Sequence, residues 1–265
     1  MKKIVFLLFL PLFSIACFSQ SVPVLALGET MTNVFNLSVD DISGTCFMVV
    51  KNKQQYFVTA AHLFGTSHTS GDVVPIQLFN ENQLQTFSAK VYFHKNRKVD
   101  IAVFRLPQSI SQKLELPDEL VQYKDTLQKV FSNEGISTDS LFANIDMDVL
   151  FFGFPLGNLG TEAFGIKFPL AKKAIISGWV NHNSVELLLL DGHNNLGFSG
   201  GPVVTYDTTR KKLCLIGVIS GYLPEKVDVQ HKKDTFSVNQ NSGIIVCYGS
   251  HYVEDIFTEN KKELR

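Results

Sequence analysis

The feature that most constrains the fold of this chain is a succession of short apolar segments, rich in Val, Ile and Phe, separated by Gly, Asn, Asp or Pro. Such segments are typical of β-strands, because β-branched and aromatic residues favour extended backbone and the separating residues favour turns. A first group of strands is predicted at Asn33–Val39, Cys46–Lys51, Gln55–Ala60, Val74–Phe79, Thr86–His94 and Ile101–Leu106. Six strands are enough to close a small sheet on itself.

A second group of predicted strands, similar in number, follows a segment in which the apolar residues are spaced differently. Between residues 107 and 146 the apolar residues recur at near-helical spacing, which predicts a connector with one or two short helices. Strands are then predicted at Met147–Pro155, Ala171–Val180, Ser184–Gly192, Gly201–Tyr206, Lys212–Gly221 and Gly243–Gly249. The C-terminal segment is predicted to be a helix, with Ser250 as its N-cap and with Tyr252, Val253 and Ile256 on its buried side.

These groups predict an all-β fold of two packed, six-stranded antiparallel barrels with a short helical connector and a C-terminal helix. The expected boundaries are about 30–106 for barrel one, 107–146 for the connector, 147–249 for barrel two and 250–262 for the helix. With 265 residues and 45% hydrophobic content, the chain can bury a large core. Its net charge of −1 gives no basic field of the kind that nucleic-acid binding requires.

The N-terminus has the three-part pattern of a secretory signal peptide: two lysines, an apolar run over residues 4–16, and then small and polar residues. The apolar run is too short for a stable membrane span. We expect a signal peptide over residues 1–19, cleavage after Ser19, and a periplasmic or secreted protein. An alternative is lipid attachment at Cys17, because "SIAC" partly resembles a bacterial lipoprotein box.

Three cysteines follow the expected cleavage site, namely Cys46, Cys214 and Cys247. An odd count leaves at least one of them unpaired within the chain. Two arrangements stay open: buried free thiols, or a bridge between Cys214 and Cys247, which both lie in late strand-like segments. There is no C-x-x-C and no H-E-x-x-H pattern, so the sequence supports no zinc site, and no cofactor is expected.

The segment "NNLGFSGGPVV" places Ser199 among several glycines. Glycine is costly in regular structure, so such a cluster marks backbone that turns sharply or approaches another group closely. One interpretation is a tight turn that opens a strand at Pro202. The other is a nucleophilic serine with backbone N–H groups beside it that can stabilise an oxyanion.

Two further side chains fit the second interpretation. A serine nucleophile needs a base to take its proton and an acid to orient that base. His62 follows a strand and two alanines in "YFVTAAHLF", and Asp100 opens an apolar strand in "RKVDIAVFRL". Because His62 and Asp100 belong to the first strand group and Ser199 to the second, the site is expected in the cleft between the barrels.

The motifs "VTAAH", "DIAVFRL" and "GFSGGPVV" resemble the three signatures of trypsin-like (chymotrypsin-fold) serine peptidases. Other stretches, such as "VLFFGFPLG" and "AIISG", are most similar to bacterial Deg/HtrA-related members, here without a PDZ domain. The resemblance runs from about Ser43 to the C-terminal helix. It implies that Ser199 is the nucleophile, His62 the general base and Asp100 its orienting partner, and that Gly197 and Ser199 supply the oxyanion N–H groups.

The sequence also departs from the family pattern. Zymogen-type members carry an aspartate before the serine, which pairs with a newly cut N-terminus, whereas this chain has Phe198. That salt bridge is therefore excluded, and we expect packing of the aromatic ring to hold the loop. Leu196 stands where a proline is common, and Cys46 where a second glycine is common.

Family position implies a substrate pocket with His193 near its base and a wall formed by Ser220, Gly221, Tyr222 and Gly243. His193 either favours acidic substrate side chains or is a neutral wall group. The polar stretch Leu223–Ser242 is expected to form a mobile flap beside the cleft.

Two functions follow from these residues. The first is an exported serine endopeptidase that cleaves protein or peptide substrates through an acyl-enzyme. The alternative is a catalytically silent binding module on the same fold with a distorted oxyanion loop, which the departures at Leu196 and Phe198 suggest. Nothing in the sequence predicts the oligomeric state.

Overall fold

A computed structural model of the chain describes residues 22–80, 83–110, 135–138, 143–157, 159–163, 166–231 and 234–264. The expected signal peptide, its cleavage site and Cys17 lie outside these residues. So does the stretch 117–131, on which the prediction of a helical connector rests.

Barrel one is a closed antiparallel sheet in the strand order β1-β2-β3-β6-β5-β4. Its strands are β1 (Val34–Val39), β2 (Ile42–Lys51), β3 (Gln54–Thr59), β4 (Val73–Asn80), β5 (Gln83–Phe93) and β6 (Ala102–Arg105). Pairing of Leu37 with Leu78 joins β1 to β4 and closes the barrel. The six strands predicted for this part of the chain are confirmed.

The hairpin between β2 and β3 and the alternating apolar residues of the strands fix the register of barrel one. Asn52 and Lys53 form the turn with φ values of 53° and 63°, the left-handed backbone of a type I′ hairpin, whose twist matches that of the strands. Inside the barrel, Phe57 stacks on Phe104 at a ring-centroid distance of 5.2 Å. Successive strand residues point to opposite faces, so a shift by one residue would expose this core.

Barrel two closes in the order β10-β11-β14-β13-β12-β7, and β8 and β9 form a separate two-stranded sheet. The strands are β7 (Asp148–Gly153), β8 (Thr161–Ala163), β9 (Ile166–Phe168), β10 (Leu170–His182), β11 (Val185–Asp191), β12 (Pro202–Asp207), β13 (Lys212–His231) and β14 (Asp234–Gly249). The two-barrel fold predicted from the sequence is confirmed. The small β8–β9 sheet was not predicted.

Strands β13 and β14 continue beyond the barrel as a two-stranded hairpin, which the sequence analysis did not predict. Their pairing runs outward to His231 opposite Asp234, through the stretch expected to be a flap. Val227 pairs with Val238 on this hairpin. Alternating β-branched and polar residues favour extended strands even among polar neighbours, and they account for this regular structure.

Within the described ranges, two α-helices flank the barrels, α1 (Val24–Met31) and α2 (His251–Glu259). The sequence analysis missed α1 and predicted α2. Helix α2 buries Val253, Ile256 and Phe257, and the Phe257 ring meets Tyr56 of barrel one edge-on at 5.0 Å. Ser250 occupies the N-cap position as predicted, although its side chain makes no capping hydrogen bond. Neither helix has the length and apolar character that crossing a membrane requires, and the same holds throughout the described residues.

Cys46, Cys214 and Cys247 are buried free thiols. The alternative of a Cys214–Cys247 bridge is therefore wrong, for a reason that lies in strand register. Cys247 on β14 stands opposite Ile219 of β13, whereas Cys214 lies five residues earlier on β13. That offset corresponds to roughly 16 Å along a strand, far beyond the Cα separation that a disulfide spans.

Candidate active site

His62 lies in a 3₁₀ turn, Ala61–Phe64, that directly follows β3. Leu63 and Phe64 are buried and fix this turn to the core of barrel one. The His62 side chain is 46% exposed, so the imidazole lies at the barrel surface and is accessible.

Asp100 is fixed between the buried residues Val99 and Ile101, just before β6. Its Oδ1 accepts a hydrogen bond from the His62 backbone N–H at 2.7 Å, and its Oδ2 lies 2.7 Å from His62 Nδ1. An ionised carboxylate only accepts hydrogen bonds, so Nδ1 carries a proton, and Nε2 is unprotonated when the imidazole is neutral. The Ser220 hydroxyl also donates to Asp100 Oδ2, at 2.6 Å, and links barrel two to the pair.

The pKa of His62 is raised above its ordinary value of 6.5. Burial acts to lower this pKa, but the hydrogen bond to Asp100 and the negative charge of that carboxylate outweigh the effect of burial. Asp100 therefore stabilises the imidazolium form, as a partner of a general base should.

Ser199 lies in the loop between β11 and β12, at the junction of the two barrels. Its hydroxyl donates a hydrogen bond to the Ser220 carbonyl oxygen at 2.9 Å. Among the residues that the structure describes, no hydrogen bond joins Ser199 Oγ to His62 Nε2. Ser220 thus contacts Ser199 through its carbonyl oxygen and Asp100 through its hydroxyl, and Asp100 in turn contacts His62.

The N–H groups of Gly197 and Ser199 donate no hydrogen bond within the described part of the chain. The carbonyl groups of the same two peptide planes are both anchored. Leu196 O accepts from the Leu156 N–H at 3.0 Å, and Phe198 O accepts from the Gly201 N–H at 2.8 Å. Because C=O and N–H point in opposite directions across a trans peptide, these anchors fix the directions of both free N–H groups.

Two of the glycines are required by close approach and by backbone conformation. Gly197 has φ of +100°, and a Cβ there would lie 2.3 Å from Phe154 O. Gly200 has φ of +84°, and a Cβ there would lie 2.1 Å from Thr45 O. Any other residue would clash with backbone at both positions, so the loop can pack this tightly only with glycine.

Phe198 is fully buried in the core of barrel two and meets the Phe151 ring at 5.1 Å. The expectation that aromatic packing holds the loop is confirmed by this burial. Lys172 of β10 lies over the same ring, with Nζ 5.4 Å from the ring centroid. Its ammonium also donates to His193 O and to Asn195 Oδ1, at 2.5 and 2.9 Å, and burial lowers its pKa.

Sequence reasoning missed Lys172 as a loop anchor. The available signal was the alternation of β10, which places Lys172 on the same face as the buried residues Ala174 and Ile176.

The residues expected to form the substrate pocket are arranged around a buried asparagine. The side-chain Nδ2 of Asn194 donates to Gly221 O at 3.2 Å, and the backbone carbonyl of Asn194 accepts from Asn241 Nδ2 at 2.7 Å. The Asn241 side chain, which joins β14 to Asn194, is itself held within that strand, because its Oδ1 accepts from the Gly243 N–H at 2.9 Å.

Asn194 is 1% exposed, and its Oδ1 is buried without a hydrogen-bond partner within the described residues. In contrast, the side chain of His193 is exposed. Tyr222 is partly buried and pairs with Ile245 across the β13–β14 hairpin.

The described residues contain no group of three or more His, Cys, Asp or Glu side chains placed to hold a metal ion. The groups that the described site offers for chemistry are a hydroxyl, an imidazole–carboxylate pair and two backbone donors.

Comparison with known proteins places this geometry in context. Residues 44–218 match the sequence model described as the trypsin-like peptidase domain. No protein with a curated function matches the sequence.

Several solved structures share the fold at low sequence identity. An inactive mutant of Rv3671c from M. tuberculosis H37Rv is 15% identical, with a TM-score of 0.54 over 92% of this chain and 93% of that chain. The HtrA-type protease AlgW with a tripeptide is 15% identical, with a TM-score of 0.53 over 89% of this chain and 62% of that chain. The protease Anisep from Arthrobacter nicotinovorans is 12% identical, with a TM-score of 0.51 over 87% and 96%.

Proposed function

Because the chain belongs to the family of trypsin-like peptidases, we propose that it is a serine endopeptidase that hydrolyses peptide bonds through an acyl-enzyme. One observation carries this proposal. Ser220 joins the paired His62 and Asp100 of barrel one to the Ser199 loop of barrel two, because its hydroxyl donates to Asp100 Oδ2 and its carbonyl accepts from Ser199 Oγ, and that loop presents two free backbone N–H groups.

The first chemical step uses the neutral His62 imidazole. Ser199 exchanges its hydrogen bond to Ser220 O for one to His62 Nε2, which takes the hydroxyl proton as Oγ forms a bond to the substrate carbonyl carbon. Asp100 stabilises the resulting imidazolium through Nδ1. His62 then gives the proton to the leaving amine as the C–N bond breaks, and water releases the acyl group by the same steps.

Gly197 and Ser199 would stabilise the negative charge that develops on the carbonyl oxygen. Backbone donors that are already oriented need no reorganisation when the charge appears. The anchors on Leu196 O and Phe198 O support this role, because they keep both donors free of other acceptors. Loss of one such donor typically lowers kcat by about 10²–10³-fold.

For the substrate we propose a polypeptide that binds along Ser220, Gly221 and Tyr222, with Gly243 beside them. The side chain of His193 is exposed, and we propose that it is a wall group of the pocket and does not select acidic substrate residues.

A fluorophosphonate probe tests the proposed activity. The mature protein should be labelled covalently, and Ser199→Ala, which removes the nucleophile, should not be labelled. Cleavage of a proteome-derived peptide library by the same two proteins would then define the preference. A folded wild-type protein that neither reacts with the probe nor cleaves the library would overturn the proposal.

That result would favour the alternative of a catalytically silent binding module. The hydrogen bond from Ser199 Oγ to Ser220 O favours this alternative, because it occupies the hydroxyl away from the base. Catalytic hydrogen bonds are often long or unformed in ligand-free enzymes, so the peptidase accounts for the same geometry.

We further propose that the protein is exported to the periplasm or beyond the cell. The support is the basic, apolar and small-residue pattern of residues 1–19. N-terminal sequencing of the protein from its native host distinguishes cleavage after Ser19 from processing at Cys17. An intact Met1 terminus would contradict export by this route.

A further inference from the structure

Thr45 of β2 connects barrel one to the loop that carries Ser199. Its side chain is fully buried. The hydroxyl donates to Gly197 O at 2.7 Å and accepts from the Phe154 N–H at 3.0 Å. The Thr45 backbone N–H donates to Ser199 O at 2.8 Å, and its carbonyl accepts from the Thr59 hydroxyl at 2.6 Å.

These bonds matter because Gly197 is the conformationally free residue of the loop. With φ of +100° and no Cβ, it could rotate the peptide planes on either side of it. The plane before it, which carries the Gly197 N–H, is held by Leu156 through Leu196 O. The plane after it is held at Gly197 O by the Thr45 hydroxyl, at 2.7 Å, and at the Phe198 N–H, which donates to Asn195 O at 3.2 Å. Loss of the Thr45 hydroxyl would leave this plane with the longer bond to Asn195 and its buried carbonyl without a partner.

We propose that Thr45 is a positioning residue for the oxyanion donors. Its hydroxyl holds the Gly197 carbonyl and its N–H holds the Ser199 carbonyl, so the peptide planes that directly follow the two donor residues are fixed to barrel one. Together with the anchors on Leu196 O and Phe198 O, these bonds limit rotation of the backbone on both sides of the Gly197 and Ser199 N–H groups. This inference rests on the proposed serine peptidase activity. It adds that barrel one contributes to the oxyanion site as well as the base and the acid.

An ordinary structural role predicts a different result. A buried threonine with satisfied hydrogen bonds stabilises a fold without regard to chemistry, and its loss would affect folding alone. Thr30 of helix α1 provides the matched case, since it is also buried and its hydroxyl donates to Ala26 O at 3.0 Å.

The test compares Thr45→Val, Thr45→Ser and the control Thr30→Val with the wild type. The measurements are the rate of fluorophosphonate labelling, kcat and KM on a fluorogenic peptide from the cleavage library, and the urea midpoint of unfolding. Thr45→Val keeps the shape of the side chain and removes the hydroxyl. We expect its labelling rate and kcat to fall between about tenfold and 10³-fold, with KM nearly unchanged. Thr45→Ser should stay close to wild type, and Thr30→Val should shift the urea midpoint alone.

Three results would overturn the inference: wild-type labelling of Thr45→Val, equal loss of kcat in Thr45→Val and Thr30→Val, or a Thr45→Ser variant as slow as Thr45→Val. If Thr45→Val does not fold, Thr45→Cys replaces it, because a thiol of similar size is only a weak donor. It should then be slower than Thr45→Ser, and equal rates would overturn the inference. An unlabelled wild type would instead refute the proposed function itself.

Discussion

Replacing Phe198 with alanine tests whether core packing holds the nucleophile loop. The ring is fully buried, meets Phe151 at 5.1 Å and lies beneath Lys172 Nζ. Phe→Ala changes in a core lower the free energy of unfolding by about 3–5 kcal/mol, and an aromatic pair accounts for about 1 kcal/mol of such a loss. We expect Phe198→Ala to lose about 4 kcal/mol, which a domain with ordinary stability can survive.

Loss of this packing should also lower kcat, because the backbone of Phe198 links the two proposed oxyanion donors. If their alignment is lost, kcat should fall by about 10²–10³-fold in the protein that remains folded. Urea unfolding can be followed by the fluorescence of Trp179, since the chain has one tryptophan. The amount of active enzyme can be counted by fluorophosphonate labelling.

Phe257→Ala is the matched control. Phe257 is also buried, meets the Tyr56 ring at 5.0 Å and lies beneath Lys51 Nζ, but it belongs to helix α2 and not to the Ser199 loop. We expect a similar loss of stability with kcat unchanged in the folded fraction. The reasoning would be refuted if both variants lost similar stability and both kept the wild-type kcat.

Further predictions concern the base, the glycines and the lysine anchor. Because Asp100 raises the pKa of His62, kcat/KM should rise with pH through a midpoint above 6.5. The variant Asp100→Asn should move this midpoint to lower pH and lower kcat by about 10⁴-fold. A midpoint that does not move in the variant would contradict this prediction. The same pair stabilises the fold below the unfolded-state pKa, and that contribution is lost as the pH rises past the raised pKa of His62, which urea unfolding at several pH values can follow. Gly200→Ala should prevent stable folding, since its Cβ would lie 2.1 Å from two oxygens, whereas Gly178→Ala, with no atom within 4 Å, should be nearly neutral by thermal unfolding. Lys172→Met should slow fluorophosphonate labelling by freeing the carbonyl of residue 193, and an unchanged rate would remove its assigned role as an anchor.

The barrels were predictable because their signal is local. Alternating apolar residues determine which face of a strand is buried, and turn residues such as Asn52 and Lys53 mark where the chain reverses. The extension of β13 and β14 to His231 and Asp234 was missed because its strands carry mainly polar residues and bury little apolar surface. Helix α1 was missed because its apolar residues follow directly after the predicted leader.

The candidate site was predictable only in part. His62, Asp100 and Ser199 stand in motifs whose residue types indicate a base, an acid and a nucleophile. Their division between the two barrels predicts a site in the cleft between them. Thr45 and Lys172 have no such motif. The alternation of β10 indicates only that Lys172 lies on the buried face, and the loop groups to which Lys172 and Thr45 bond depend on how the barrels pack.

The buried, unpaired thiols bear on how this protein can be handled. Burial raises the pKa of the Cys46 and Cys247 thiols, so reactive thiolate is scarce in both at neutral pH. The described strands are joined by hydrogen bonds and packing alone, with no covalent cross-link among the three described cysteines. The two barrels should consequently refold equally well with or without dithiothreitol.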